Sequence, residues 1–242
     1  MLILALDTTT RAGSLALALD GRLLEIAEGD PGLTHAARLP GGILDLLARH
    51  HLTLRDLDLY GVAVGPGSFT GLRIGIATIQ GLAFANGRQV VGVSALDALA
   101  EAAGQAADAG GAPALRAAWM DAQRGEVYGR LYRAAGEAWL PVTEPVVARP
   151  SEVLDAWSDG LGDGPVEFVG DGAVVYREHL AEAFGNRARP SYTVPPLAPA
   201  IAIMAARGVA TGLAVTPDAI RPLYVRRPDA ELARERKGQR PR

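Results

Sequence analysis

The sequence predicts an α/β protein in which one strand–helix plan is used twice, giving two lobes. Three observations carry this reading. An apolar run over residues 2–6 ends at Asp7, and a second run over residues 115–120 ends at Asp121. The first hundred or so residues read as three antiparallel strands followed by strand–helix alternation. Between the two patterns, residues 104–113 are rich in Ala and Gly and have the character of a boundary. A length of 242 residues falls between one large domain and two small ones of roughly 100–150 residues each, which suits a duplication. The expected lobes are residues 1–104 and 105–220, with a helix at 198–210 packing back on the first lobe and a basic tail at 221–242.

The elements follow in order. Residues 2–6 (Leu-Ile-Leu-Ala-Leu) make the first strand and residues 14–19 the second. Asp20-Gly21 then turns the chain into a third at 22–26, since Asp-Gly between two apolar runs is a strong hairpin signal. Residues 34–51 have helical spacing at Leu39, Ile43, Leu46 and Leu47, weakened early by Pro40 and Gly41-Gly42. Residues 59–64 are a short buried strand, followed by a glycine loop and a helix to about Ala85; Ser68 or Thr70 can cap that helix. Residues 89–93 are the next strand, and Ser94 caps a helix to about Ala103. In the second half, strands are expected at 115–120, 126–133, 142–148 and 166–169. Pro150-Ser151-Glu152 opens a helix, the last strand runs into Gly170-Asp171-Gly172, and residues 198–208 form an alanine-rich helix.

Composition removes several classes of chemistry. The chain has no Cys, hence no disulfide framework, thiolate zinc site or cysteine nucleophile. Its histidines (His35, His50, His51, His179) contain no pair at the spacing of a helical metal site, so no metal is expected. The opening residues lack the basic and apolar regions of a secretory signal, and the longest uncharged apolar run, residues 74–85, is shorter than the ~20 residues that span a bilayer. A cytoplasmic protein without membrane contact is expected. The net charge of −3 is unevenly spread: residues 221–242 hold eight basic and three acidic side chains. Such a tail is either a solvated end or a surface for RNA or an acidic partner.

The most informative stretch is Gly65-Pro-Gly-Ser-Phe-Thr-Gly-Leu-Arg-Ile-Gly75. A strand that ends in glycines and enters a helix can offer backbone N–H groups to an anion. No Gly-Lys-Ser/Thr follows, the spacing does not fit the dinucleotide fingerprint, and no Gly-x-Ser-x-Gly elbow is formed. A tight strand-to-helix turn is the simpler account. In the helix that follows, Gly71, Gly75, Thr78, Gly81 and Ala85 fall near one face, and Arg73 is the one charge between Ser68 and Gly87. Each interior glycine costs about 1 kcal/mol against Ala, so close approach of another surface must offset it. A helix with almost no polar face is buried on more than one side. The second surface is either the helix at 34–51 or another subunit, and the reading favours another subunit. Gly75 is then where a Leu would block pairing and spare the monomer.

Asp7-Thr-Thr, the 65–75 segment, Met120-Asp121-Ala-Gln-Arg-Gly-Glu-Val-Tyr128, Val169-Gly-Asp-Gly-Ala173 and Pro222-Leu-Tyr-Val-Arg226 together resemble the TsaB (YeaZ) family, in order along residues 1 to about 226. The resemblance implies the actin-like ATPase (ASKHA) fold with two ribonuclease-H-like lobes. It implies a non-catalytic subunit, without cofactor, of the machinery that installs threonylcarbamoyl on the tRNA adenosine 3′ of the anticodon. Its partners would be the metal-dependent paralogue TsaD and the ATPase TsaE, a second copy of itself when alone, and tRNA through the complex. The helices at 34–51 and 69–86 would form the contact, which puts Leu39, Ile43, Leu46, Gly71, Arg73, Gly75, Thr78 and Gly81 at the interface. TsaD carries a His-x-x-x-His metal motif where this sequence has Ala95 and Leu99, neither of which binds a metal. The competing expectation is an ATPase or kinase-like enzyme using Asp7 and Asp121. Its nucleotide site, vestigial or working, would comprise Asp7, Thr8, Thr9, Asp121, Gly170 and Gly172. Against it, Asp7 is followed by three Thr and Asp121 by the bulky Gln123 and Arg124, where phosphates would have to approach.

Overall fold

The computed structural model describes residues 1–104, 114–136, 138–191 and 193–226. The boundary expected at 104–113, apart from Gly104, and the tail beyond residue 226 lie outside them. The first sheet holds β1 (Leu2–Asp7), β2 (Ser14–Leu19), β3 (Arg22–Glu28), β4 (Leu59–Gly65) and β5 (Gln89–Ser94) in the order β3-β2-β1-β4-β5. The first three are mutually antiparallel, and β4 and β5 run parallel to β1. The second sheet comprises β6 (Leu115–Asp121), β7 (Val127–Ala135), β8 (Ala138–Pro141), β9 (Val146–Ala148), β10 (Val166–Val169) and β11 (Ala188–Pro190). Its order is β11-β10-β6-β7-β8, with β9 added on β7. Taken from its other edge, this sheet repeats the first: β6, β7, β8, β10 and β11 have the order and strand directions of β1 to β5. The duplication that the two strand-ending aspartates suggested is therefore present in the topology.

Strand alternation sorts the layers. On β1, Leu2, Leu4 and Leu6 enter one core with Leu39, Ile43, Leu46 and Leu47 of α1 (His35–Arg49) and Leu72, Ile76, Ile79 and Ala83 of α2 (Phe69–Asn86). Ile3 and Ala5 point the other way, into a core shared with α3 (Ala95–Ala102), α7 (Ala198–Ala210) and Ala118 and Met120 of β6. On β6, Leu115, Ala117 and Trp119 face a third core with α4 (Pro150–Leu161), α5 (Asp171–Val175) and α6 (Arg177–Phe184). Helices α3 and α7 thus lie between the sheets, and α7 packs on the strands of the first. Arg116, wholly buried on β6, pairs with Glu167 at 2.7 Å and donates to the carbonyls of Ala100 and Gly104, tying the end of α3 to the second sheet.

Local chemistry sets the boundaries. Asp20 and Gly21 both take positive φ (51° and 77°), as a two-residue hairpin turn requires. Thr34, Ser68 and Ser94 cap α1, α2 and α3 by accepting from Ala37, Gly71 and Asp97 N–H. The strand expected over 142–148 differs: the ladder is divided between β8 and β9, with Val142 N–H still donating to Leu131 O at 2.9 Å and Pro145 lacking an N–H to continue it. Among the described residues no helix is long and apolar enough to cross a membrane.

Candidate functional site

Asp7 closes β1 and is 1% exposed. Its carboxylate is fully engaged by the turn that follows. One oxygen accepts from the Thr9 N–H at 2.8 Å and the Thr9 hydroxyl at 2.6 Å; the other accepts from the Thr10 hydroxyl at 2.6 Å. Thr10 Oγ1 in turn accepts from Gly13 N at 3.1 Å. This is a self-sufficient aspartate turn, the kind that Asp followed by hydroxyl residues builds locally.

The 65–75 segment wraps around that turn. Ser68 N–H donates to the Thr9 carbonyl at 2.9 Å, and Gly71 and Gly75 present their bare Cα atoms to Thr8. A Cβ on Gly71 would lie 2.1 Å from the Thr8 carbonyl oxygen, and one on Gly75 would lie 2.1 Å from Thr8 Oγ1. The glycines of the helix are therefore needed, but the surface they admit is the chain's own first turn. His35, at the start of α1, closes the same corner: it accepts at Nδ1 from Arg38 at 2.5 Å, and burial together with the Arg38 charge holds its pKa below the ordinary 6.5.

The second lobe has a comparable turn with different filling. Asp121 accepts from the Gln123 N–H at 2.9 Å and the Gln123 side-chain amide at 2.6 Å, while its own N–H donates to Asp171 at 3.0 Å. Gln123 and Arg124 both sit at φ 60°. Asp171 also accepts from Gly172 N–H, and burial pushes its pKa up. Gly170 lies against β6, where a Cβ would come 2.2 Å from the Trp119 carbonyl oxygen. Both Gly170 and Gly172 thus serve close packing of α5 on the strand.

Between the two turns lies a cleft of about 890 Å³. Its walls include Thr9, Thr10, Ser68 and His35 from the first lobe and Asp121, Gln123 and Asp171 from the second. Residues 223–226 line it as well. Of the expected nucleotide-site residues, Thr9 and Asp121 line this cleft; Gly170 and Gly172 do not, although Asp171 between them does, and Asp7 and Thr8 are buried. Residues 221–226, expected to begin the solvated tail, are instead built into the body of the protein. Leu223 N–H donates to Val64 O at 2.6 Å, Tyr224 packs on Phe69 and binds Arg73, and Arg226 reaches Ala122 O at 2.7 Å. The Pro-Leu-Tyr-Val-Arg string was visible in the sequence, but no periodicity marked it as a packed element.

The expected interface residues separate into two groups. Leu39, Ile43 and Leu46 are buried in the core of the first lobe, because the apolar stripe of α1 faces the sheet; they cannot also meet a partner. Gly71 and Gly75 are likewise internal, filled by Thr8. Thr78 is half-buried and turned back on Ile74 O at 2.8 Å. Arg73 and Gly81 remain on the outside, in a stripe with Ala85 and with Ala77 and Phe84, which the small-residue pattern had not singled out. Phe84 is 80% exposed and Leu44, on the neighbouring α1, 56%. A Cβ on Gly81 would meet nothing within 4 Å.

A family model described as TsaD: tRNA N6-adenosine threonylcarbamoyltransferase matches residues 32–234. The tRNA threonylcarbamoyladenosine biosynthesis protein TsaB of Escherichia coli K12 is 33% identical over 227 residues, covering 93% of this chain and 95% of that protein. The chain belongs to the TsaB (YeaZ) family. YeaZ from Pseudomonas aeruginosa superposes with a TM-score of 0.74 at 30% identity, over 92% of this chain and 99% of that one. Component A of the (R)-2-hydroxyglutaryl-CoA dehydratase of Acidaminococcus fermentans (TM-score 0.51, 13% identity, 87% and 99% covered) shares the fold alone. The fold is that of the actin-like ATPases, with two ribonuclease-H-like lobes.

Proposed function

We propose that this chain is a non-catalytic scaffold subunit of the machinery that adds threonylcarbamoyl to tRNA, working in the cytoplasm where tRNA is met. It pairs with the catalytic paralogue TsaD through the outer face of α2 and the adjoining face of α1, joins the ATPase TsaE in the same assembly, and pairs with itself when alone. The observation that carries the reading is the exposed stripe of α2. Ala77, Gly81 and Ala85 give a surface with nothing longer than a methyl to hold a partner off, with Phe84 80% exposed at its end and Leu44 exposed on the neighbouring α1. An exposed apolar patch on a helix with one charge is a surface made to be covered. The buried Ala95 and Leu99 and the engaged Asp7 support the non-catalytic part of the reading.

Phe84→Asp tests it. Light scattering on the isolated chain, and co-purification with TsaD, should both lose the pairing while the circular-dichroism spectrum is kept. A variant that still pairs removes α2 as the contact. The enzyme reading rests on the cleft of about 890 Å³ with Asp121 in its wall. Calorimetric titration with Mg-ATP separates the two readings: micromolar binding abolished by Asp121→Asn would favour the enzyme, since Asp121 lines the cleft whereas Asp7 is buried and bonded within its own turn. For tRNA, deleting residues 230–242 should weaken binding by the assembled complex in a salt-dependent way, since basic residues act by displacing counterions. Unchanged binding makes the tail a solvated end.

A further inference from the structure

Residues 215–226 cross from one lobe to the other, and the last four of them line the cleft. The crossing begins on the first lobe, where Val215 bridges Val90 at the edge of β5 with two hydrogen bonds of 2.9 Å. Gln80 of α2 then donates its side-chain amide to Pro217 O at 2.9 Å and Ile220 O at 3.3 Å, and Ile220 is buried in the α1–α2 core. Leu223 binds the end of β4, and Tyr224 lies 5.4 Å from Phe69, centroid to centroid, with its hydroxyl accepting from Arg73 at 3.2 Å. Only then does the chain reach the second lobe. Arg226 donates to Ala122 O and to the Glu126 carboxylate, and its guanidinium lies 5.6 Å from the centre of the Tyr128 ring. Both acceptors belong to the Asp121 turn, since Ala122 N–H itself closes that turn on Glu126 O at 3.0 Å.

The two ends of this segment differ in kind. The first-lobe end is held by backbone bonds to β4 and β5, by Gln80 and by the buried Ile220, so it belongs to that lobe. Among the described residues, the second-lobe end is held by the polar contacts of Arg226, with Val225 packed beside it on the core that the two lobes share. Two-lobed proteins commonly close around a ligand that touches both sides of a cleft. Here a covalently attached segment touches both sides, and being intramolecular it acts at a high effective concentration. We propose that residues 215–226 form a strap that fixes the aperture of the cleft in place of a bound ligand, with Tyr224 as its anchor and Arg226 as a releasable latch on the Asp121 turn. Opening the latch widens the cleft and frees the turn at 121–126, without unfolding either lobe. The inference is independent of which partner α2 meets.

The absence of Cys makes the test direct, because two introduced cysteines label uniquely. Exposed Ala36 on α1 and Val175 on α5 receive spin labels, and their separation is measured by pulsed electron resonance with hydrogen exchange followed in parallel. The unmodified strap should give one narrow distance. Arg226→Ala and, separately, Glu126→Gln should broaden it towards longer values and speed exchange at 121–126 about tenfold, the loss expected for a charge-assisted hydrogen bond. Arg221→Ala, whose hydrogen bonds go to the strap's own Asp218 and Ile220 carbonyls, should leave the distance narrow. Unchanged distances in both latch variants would overturn the proposal. So would a general loss of thermal stability with no widening, because the segment would then be ordinary packing.

Discussion

The inner and outer sides of α2 put one residue type in opposite surroundings. On the inner side, Cβ atoms on Gly71 and Gly75 would come within 2.1 Å of Thr8. On the outer side, a Cβ on Gly81 would meet nothing within 4 Å. In sequence the three positions form one stripe, and the stripe invites a single explanation. The structure needs two: the first two glycines admit the turn after β1, and the third only flattens a surface. A small-residue pattern reports that something comes close without reporting which side of the helix it comes from.

Gly71→Ala should have the largest effect. The new methyl meets a backbone carbonyl oxygen held by the Asp7 turn, which cannot rotate away, so we expect a loss of about 3 kcal/mol or more in denaturant unfolding. A loss under about 1 kcal/mol would mean that the turn yields and is not what fixes α2. The expectation that Gly75→Leu would spare the monomer is corrected on the same ground, because the side chain has no room inside its own chain.

Gly75→Ala sharpens the point, since the clash here is with a side chain. Overpacking by one methyl should cost about 2 kcal/mol. Thr8→Ala removes the hydroxyl in question, leaving a Cβ contact of 3.3 Å, and should restore most of that loss. Thr8 Oγ1 is buried without a hydrogen-bond partner among the described residues, so its removal alone should cost little. Additivity in this double-mutant cycle would sink the assignment. Thr8→Ala should not rescue Gly71→Ala, whose obstacle is backbone.

The outer side should respond with the opposite sign. With open space around it, Gly81→Ala should stabilise the monomer by up to about 1 kcal/mol through helix propensity. Phe84→Asp should change monomer stability by no more than about 0.5 kcal/mol. A large destabilisation by either would place the outer stripe in the fold after all.

Much of the architecture was legible because strand alternation and capping residues are local signals. The hairpin at Asp20-Gly21, the three helix caps and the two strands ending in aspartate all follow from neighbours in sequence. The site was legible only in part. Asp7 with Thr9 and Thr10 announces its turn, but nothing in the sequence says that Thr8 packs on Gly75, a contact between residues far apart in the chain. The apolar spacing of α1 gave Leu39, Ile43 and Leu46 correctly as one face, yet periodicity does not say whether a face meets a sheet or a partner. The strap at 215–226 has no period at all, and its order comes from partners on β4, β5 and α2.

The smallest expected effect is a pH dependence on the inner side. His35 lies beside Gly71, with its ring 3.2 Å from where a Cβ would sit, and accepts from Arg38 at Nδ1. Burial and then the Arg38 charge hold its folded pKa below 6.5. Between the lowered value and 6.5 the unfolded chain binds the proton and the folded chain does not, so acidification favours unfolding. The contribution is complete above 6.5 and is lost as pH falls from there through the folded value. Thermal unfolding should therefore show His35→Gln losing less stability than the unmodified chain between about pH 7.5 and 5.5. Parallel curves would mean that His35 is no more restrained in the fold than in the unfolded chain, and that the inner side of α2 is looser than its glycines imply.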